Sequence, residues 1–189
     1  ILLCKKGPQN TESYKGTRLF WGEAPQTYDI PISLCKDLDN FPIHVDPQSL
    51  SIYEKVRSKS RFFGEISHTF RGLPIQSKAT TQRPAESEPL LRGDDIKPYY
   101  HGIPQLFVNK NDLKEESRKI AEMRKQKIIS QRIIAHVLRP MDHIIIMSTL
   151  DEEGLLNVDT VENTIVIDPY YDLRYLLAFL NCKLISWYA

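Results

Sequence analysis

Apolar residues in this chain come in short bursts divided by polar runs rich in proline, glycine and acids, a pattern that predicts many short strands and few long helices. The opening ILLCKK, residues 1–6, reads as a strand. The polar run GPQNTESYKGT leads to a second apolar run at 18–21, and together they predict a hairpin with an 11-residue connection. An isolated hairpin is marginal in water, so this one is expected to pack on another domain. Residues 23–48 carry Pro25, Pro31, Pro42 and Pro47 and read as a connector, extended at most around 28–34. Asp46 or Ser49 then caps a predicted helix through Leu50, Ile52, Tyr53 and Val56.

FFGEISHTFRGLP, residues 62–74, is mixed, and the polar segment 76–89 that follows reads as a loop long enough to be functional or mobile. In LLRGDDIKPYY, residues 90–100, Leu90 and Leu91 end a strand and Gly93 permits a tight turn. Pro98 forbids a continuing helix, which leaves Tyr99 and Tyr100 on extended chain or a loop. Residues 106–108 predict a strand, and Asn109 or Asn111 opens a charged helix to about Lys125. The β-branched runs at 128–137 and 143–148 read as core strands, with Gln131 and Arg132 a polar pair in the first. After a turn at 151–154, two more short strands are expected at 155–158 and 164–167. Asp172 caps a last helix whose Leu173, Leu176, Leu177, Leu180, Leu184 and Trp187 form an amphipathic stripe.

Composition changes this picture little. At 189 residues, 41% hydrophobic and 26% charged, the chain suits one globular domain or a domain plus a fragment. It has no apolar run long enough to span a membrane and no secretory signal, and Cys4, Cys35 and Cys182 are widely spaced; these features predict a cytoplasmic protein with reduced thiols. The start without methionine predicts a segment of something longer.

Charge changes it more. The net charge of +1 hides segments of −2 (1–54), +9 (55–140) and −6 (141–189), and a basic middle between acidic ends suits a domain facing a polyanion. Its bland counterpart is a solvated, self-paired surface, notably for the lysines and arginines of 118–127.

Chemistry is sparse. The sequence lacks a phosphate-binding loop, a dinucleotide fingerprint, a nucleophile elbow and the HExxH pair, and its five histidines do not stand at metal spacing. The run 167–171, IDPYY, has Asp and Tyr where an amino-methyltransferase loop has Asn and Pro, and reads as a strand-to-helix turn. His136 and His143 flank a proline-containing turn and read as packed or solvent-facing.

LLRGDDIKPYY resembles the signature of the TaqI-like C-terminal specificity domain, the target-recognition part of adenine-specific DNA methyltransferases and fused restriction–modification enzymes of type IIG. Three further segments resemble the family in the same order: GEI followed by RG within 62–74, KIISQRI (127–133), and the close DLRYLLAFLNCKLISWYA (172–189). Residues 1–22 are similar to the last hairpin of the adjoining methyltransferase domain. Two departures stand out: Cys182 replaces a common serine, and Pro98 excludes a phosphate contact from that position.

The resemblance implies an α+β fold, with a mixed or mostly antiparallel twisted β core, peripheral helices and a C-terminal amphipathic helix. It implies a methyltransferase remnant at 1–22, a connector at 23–48 and a DNA target-recognition domain at 49–189. The implied function is sequence-specific recognition of double-stranded DNA in a bacterial restriction–modification enzyme. No catalytic residue, metal or cofactor is expected in this segment; S-adenosylmethionine and methyl transfer belong to the covalently adjoining methyltransferase domain, with or without a nuclease in the parent chain. The expected DNA-binding residues are Arg71, Arg92, Lys97 and Tyr99 around the central turn, Gln76, Lys78, Gln82 and Arg83 on the long loop, and Lys127 and Arg132 beyond it. The alternative is a docking module of a multi-subunit restriction–modification complex, which would use the leucine stripe around Leu176 and Leu180.

Overall fold

The computed structural model describes residues 12–18, 22, 24–34, 47–59, 61–132 and 145–188. The expected strand at 1–6, residues 19–21, the second half of the run 128–137, His136, His143, Cys4 and Cys35 lie outside the described residues. The chain divides into two compact units, Ile1–Ser60 and Arg61–Ala189.

In the first unit, β1 (Ser13–Arg18) pairs antiparallel with β2 (Gln26–Pro31), and α1 (Pro47–Lys59) follows. The expected polar connection therefore contains a strand, and its partner comes from the expected connector. Cross-strand pairs explain this better than the local pattern does. Tyr14 lies opposite the buried Ile30, and the Thr17 and Thr27 hydroxyls meet at 3.2 Å.

The second unit is mixed α and β with mostly antiparallel pairing, as expected for an α+β fold. Its elements are α2 (Phe63–Ile66), β3 (Ser67–Arg71), β4 (Ser87–Leu91), β5 (Ile96–Lys97), β6 (Tyr100–His101), β7 (Leu106–Asn109), α3 (Ser117–Met123), β8 (Lys127–Gln131), β9 (Ser148–Asp151), β10 (Leu156–Asn157), β11 (Val161–Val166), α4 (Leu173–Leu180) and α5 (Lys183–Tyr188). They form a four-stranded sheet, β3-β11-β8-β9, a three-stranded sheet, β10-β4-β7, and the small hairpin β5-β6. Among these pairings β10 with β4 is parallel.

Successive side chains of a strand point to opposite faces, and here both faces are buried. Leu90 joins Leu73, Val108, Met123, Leu156 and Val158 on one side of the three-stranded sheet. Its neighbour Leu91 packs with Ile96, Ile129 and Val161 between the two sheets. On the far side of the four-stranded sheet, Ile128 meets Ile66, Leu176 and Leu177. Each such side chain contributes about 1.5–3 kcal/mol by leaving water. The Leu90-Leu91 and Ile128-Ile129 doublets thus join three apolar layers.

Two local departures from expectation have physical causes. The charged segment after β7 begins as a 3-10 helix, Lys110–Glu116, before α3; the Asn109 side-chain oxygen accepts from the Asn111 amide at 2.9 Å. The final helix is two: Asp172 caps α4 by accepting from the Arg174 and Tyr175 amides at 2.8 and 3.3 Å, and the chain breaks at 181–182 before α5. Leu173, Leu176, Leu177 and Leu180 therefore face the core, whereas Leu184 and Trp187 remain exposed.

Candidate nucleic-acid interface

The two sheets are stitched together beside one turn, and three of the candidate arginines converge on it. At the end of β3, Gly72 donates to the Val161 carbonyl and Leu73 to the Asn157 carbonyl, each at 2.8 Å. The approach is so close that a Cβ at Gly72 would stand 2.1 Å from the Val158 oxygen, so no side chain fits there. The turn after β10 closes with Val161 donating to Val158 at 3.0 Å.

Arg71 stands opposite Glu162 in the β3–β11 register and pairs with Asp159 at 3.5 Å. Arg132 donates to the Thr160 carbonyl through its backbone and pairs with Glu162 at 3.2 Å. Arg92 leaves the end of β4; next to it, Gly93 donates to the Thr160 hydroxyl at 3.0 Å. Segments 61 residues apart in sequence thus meet around residues 158–162, where the Arg71 and Arg132 guanidinium groups pair with Asp159 and Glu162 and the Arg92 turn is tied in through the Gly93 amide.

Arg92 forms no ion pair with the neighbouring Asp94 or Asp95. Asp95 instead accepts from the Arg92 backbone amide at 2.8 Å and shapes the turn. The Arg92 Nε is buried without a hydrogen-bond partner, and so is Oε1 of Gln131. Gln131 lies against Gly93, where a Cβ would come 3.3 Å from its Cγ. A donor and an acceptor left unpaired at one junction are costly unless a ligand or a rearrangement uses them. Gln131 is absent from the residues expected on sequence grounds; a polar residue amid isoleucines was the available signal. Arg71 and Arg132 are held by partly exposed carboxylates, pairs worth at most about 1 kcal/mol, so they remain exchangeable with a phosphate.

Lys97 and Tyr99 sit on the β5–β6 hairpin, which packs on β8 and β9. Ile96 anchors it with 0% exposure, and Gly102 donates to the Asp95 carbonyl at 2.7 Å. Pro98 and Tyr99 form its tip. Tyr99 adopts φ +70°, a region that type II turns fill with glycine and that costs an L-residue about 1–2 kcal/mol. Its amide donates to the Ser148 carbonyl at 2.9 Å, which holds the strained tip in place.

The long polar segment is ordered at several points rather than structureless. Its last residues belong to β4, Gln76–Lys78 forms a 3-10 turn, and Thr80 exchanges two backbone hydrogen bonds with Phe107 at 2.9 and 2.8 Å, along the edge of β7. Arg83 lies over the Phe107 ring, 5.7 Å from its centre. Lys78 approaches Asp112 at 3.8 Å, while Gln76 and Gln82 present exposed side chains.

Lys127 requires a correction. It is 0% exposed, with its ammonium donating to the Asp151 carboxylate and to the Met123 and Leu155 carbonyls. Burial pushes the ammonium below the ordinary lysine range, and Asp151 opposes that shift. A side chain so enclosed cannot reach a phosphate. It is a structural pin at the start of β8.

A concavity of 580 Å³ elsewhere is lined by Asp168, Tyr170, Tyr171, Asp172 and Arg174 among others, and no candidate residue borders it. This is the turn 167–171, where Tyr170 donates to the Asp168 carboxylate at 3.0 Å and Arg61 pairs with the same carboxylate at 2.9 Å. No cluster of metal-ligating side chains exists among the described residues, and no helix among them is long and apolar enough to cross a membrane. Cys182 is a free, half-buried thiol.

Residues 88–189, just over half of the chain, match the TaqI-like C-terminal specificity domain. The chain belongs to this family. The match opens within β4 and takes in the RGDD turn, the hairpin, β8 and the C-terminal helices; the GEI and RG segment of 62–74 precedes it. No curated protein matches the chain. Membership carries a role in DNA target recognition within restriction–modification enzymes.

Proposed function

We propose that this chain recognises a specific sequence in double-stranded DNA on behalf of an adenine-specific methyltransferase, in a bacterial, cytoplasmic restriction–modification enzyme of type IIG. Methyl transfer, with S-adenosylmethionine as donor, is the task of an adjoining methyltransferase domain. The observation that supports this reading most is the meeting of Arg71, Arg132 and the turn that carries Arg92 at residues 158–162, with Arg92 free of any ion pair among the described residues.

Labour divides by exposure. Arg71, Arg132, Lys78 and Lys97 are exposed and suit phosphates, which set register and make binding salt-dependent. Arg92 with Gln131, and Gln76, Gln82 and Arg83 on the segment beside β7, suit base edges, where a bidentate pair is worth about 1–3 kcal/mol.

Fluorescence anisotropy of the chain against labelled duplex DNA at two salt concentrations tests the reading. Affinity that falls steeply with salt, with a slope lowered by about one in Arg71→Ala or Lys97→Ala, supports phosphate contacts. Absence of binding at low salt would overturn it.

The docking alternative draws support from a different surface than the sequence suggested. Leu176 and Leu177 are buried, and the exposed apolar side chains of the last helices are Tyr175, Phe179, Leu184 and Trp187. Tyr175→Ala leaves DNA affinity unchanged on the recognition reading, whereas Arg92→Ala does not.

A further inference from the structure

The β5–β6 hairpin carries chemistry that base-edge or phosphate contacts leave unused. Lys97 and Tyr100 are opposite each other in its register, both exposed, while Ile96 on the other face is buried. Tyr99 and Tyr100 are 59% and 62% exposed, and Ile103, just beyond the hairpin, is 81% exposed. Among the described residues neither tyrosine ring meets another ring or a cation, and neither hydroxyl is hydrogen-bonded. Three large apolar side chains thus project within five residues, on a ribbon whose base is fixed through Ile96 and the Gly102 amide and whose tip is held through the Tyr99 amide. A glycine at 99 would relieve the backbone, yet the position holds an aromatic. Strain retained at an exposed tip points to a use for the side chain.

We propose that residues 98–100 form a stacking wedge for duplex DNA. In this arrangement the Tyr99 ring enters between neighbouring bases at a deformable step, Tyr100 covers the adjoining sugar, and Lys97 on the same face holds the phosphate. The hairpin then reads how readily a step opens, whereas Arg92 and the segment beside β7 read base edges. The inference rests on the DNA reading above. Duplex DNA fits the surface better than an apolar protein partner does, because the exposed Lys97, without an ion pair among the described residues, stands beside the rings and the hairpin continues directly from the Arg92 turn.

The test compares anisotropy titrations of the chain with an intact short duplex and with the same duplex carrying one central mismatch, which lowers the cost of unstacking. The wild type is expected to bind the mismatched duplex about tenfold more tightly, in line with the worth of base–aromatic stacking. Tyr99→Gly, which relaxes the positive φ and so keeps the fold, is expected to lose that preference. Tyr99→Phe is expected to keep the preference. Equal wild-type binding to both duplexes, or a Tyr99→Gly variant that retains the preference, overturns the wedge and leaves DNA recognition standing. Failure of the wild type to bind either duplex removes both.

Discussion

Asn157 and Asn163 exchange two amide hydrogen bonds, at 2.7 and 2.9 Å, with both side chains fully buried. The pair joins β10 of one sheet to β11 of the other beside Gly72, and Asn163 also reaches the Phe70 carbonyl at 3.4 Å. The turn that gathers the arginines lies between them. Replacing one member, as in Asn163→Ala, strands a buried amide and is expected to cost about 1–3 kcal/mol in urea unfolding. The double replacement Asn157→Leu/Asn163→Leu is expected to cost less than the sum of the single ones, since it leaves no amide unpaired.

Gly72→Ala sets a methyl group against the Val158 carbonyl and the Asn157 side chain. Backbone cannot yield as a flexible side chain does, so destabilisation of about 3 kcal/mol or more is expected, at the top of the range for over-packing. Because Arg71 immediately precedes the clash, the folded fraction should also bind duplex DNA more weakly, measurable by anisotropy at matched folded concentration.

Lys127 and Arg92 are expected to fail differently. Lys127→Ala leaves Asp151 buried with the Glu153, Gly154 and Leu155 amides as its remaining donors, and breaking such a pair costs about 3–5 kcal/mol. Lys127→Met, which refills the space, should recover part of that loss. Neither change should alter DNA affinity per folded molecule or its salt slope. Arg92→Ala should show the reverse, with little change in melting temperature and affinity lowered by about 1–3 kcal/mol.

Asp168 supplies a pH signature. The Tyr170 amide, and after it the Arg61 guanidinium, holds its carboxyl below the ordinary carboxylate value. A lowered native value means that the folded chain releases this proton more readily than the unfolded chain. The contribution is therefore present above the unfolded value, near 3.8, and is lost as pH falls through the lowered native one. Thermal melts of wild type and Asp168→Asn should run in parallel above about pH 5 and converge below about pH 4, provided the chain stays folded there. Parallel melts across the whole range would contradict the assignment.

Much of the second unit is legible in the sequence, because local chemistry and tertiary structure agree there. Asp172 is a helix cap in both, Leu90-Leu91 ends a strand in both, and the β-branched residues of β8 are core in both. What the sequence hides is pairing across distance. Nothing local marks Ser13–Arg18 as a strand before its register with Gln26–Pro31 is known, nor Thr80 as the partner of Phe107. The site divides in the same way. A basic, aromatic stretch with a glycine turn marks the neighbourhood of Arg92 and Tyr99, but burial alone separates Lys127 from Arg132, five positions on, and Gln131 becomes notable once its acceptor is found without a donor.

The segment between Leu73 and β4 is moored at both ends in fully buried residues, Leu73 and Leu90, and touches the edge of β7 through two backbone hydrogen bonds at Thr80. Backbone bonds do not depend on which side chains flank them. The stretch bearing Gln76, Lys78, Gln82 and Arg83 is consequently a replaceable cassette. Its exposed side chains can be rewritten while the apolar layers beneath keep the same composition, and on the recognition reading proposed above the preferred DNA letters would change with them.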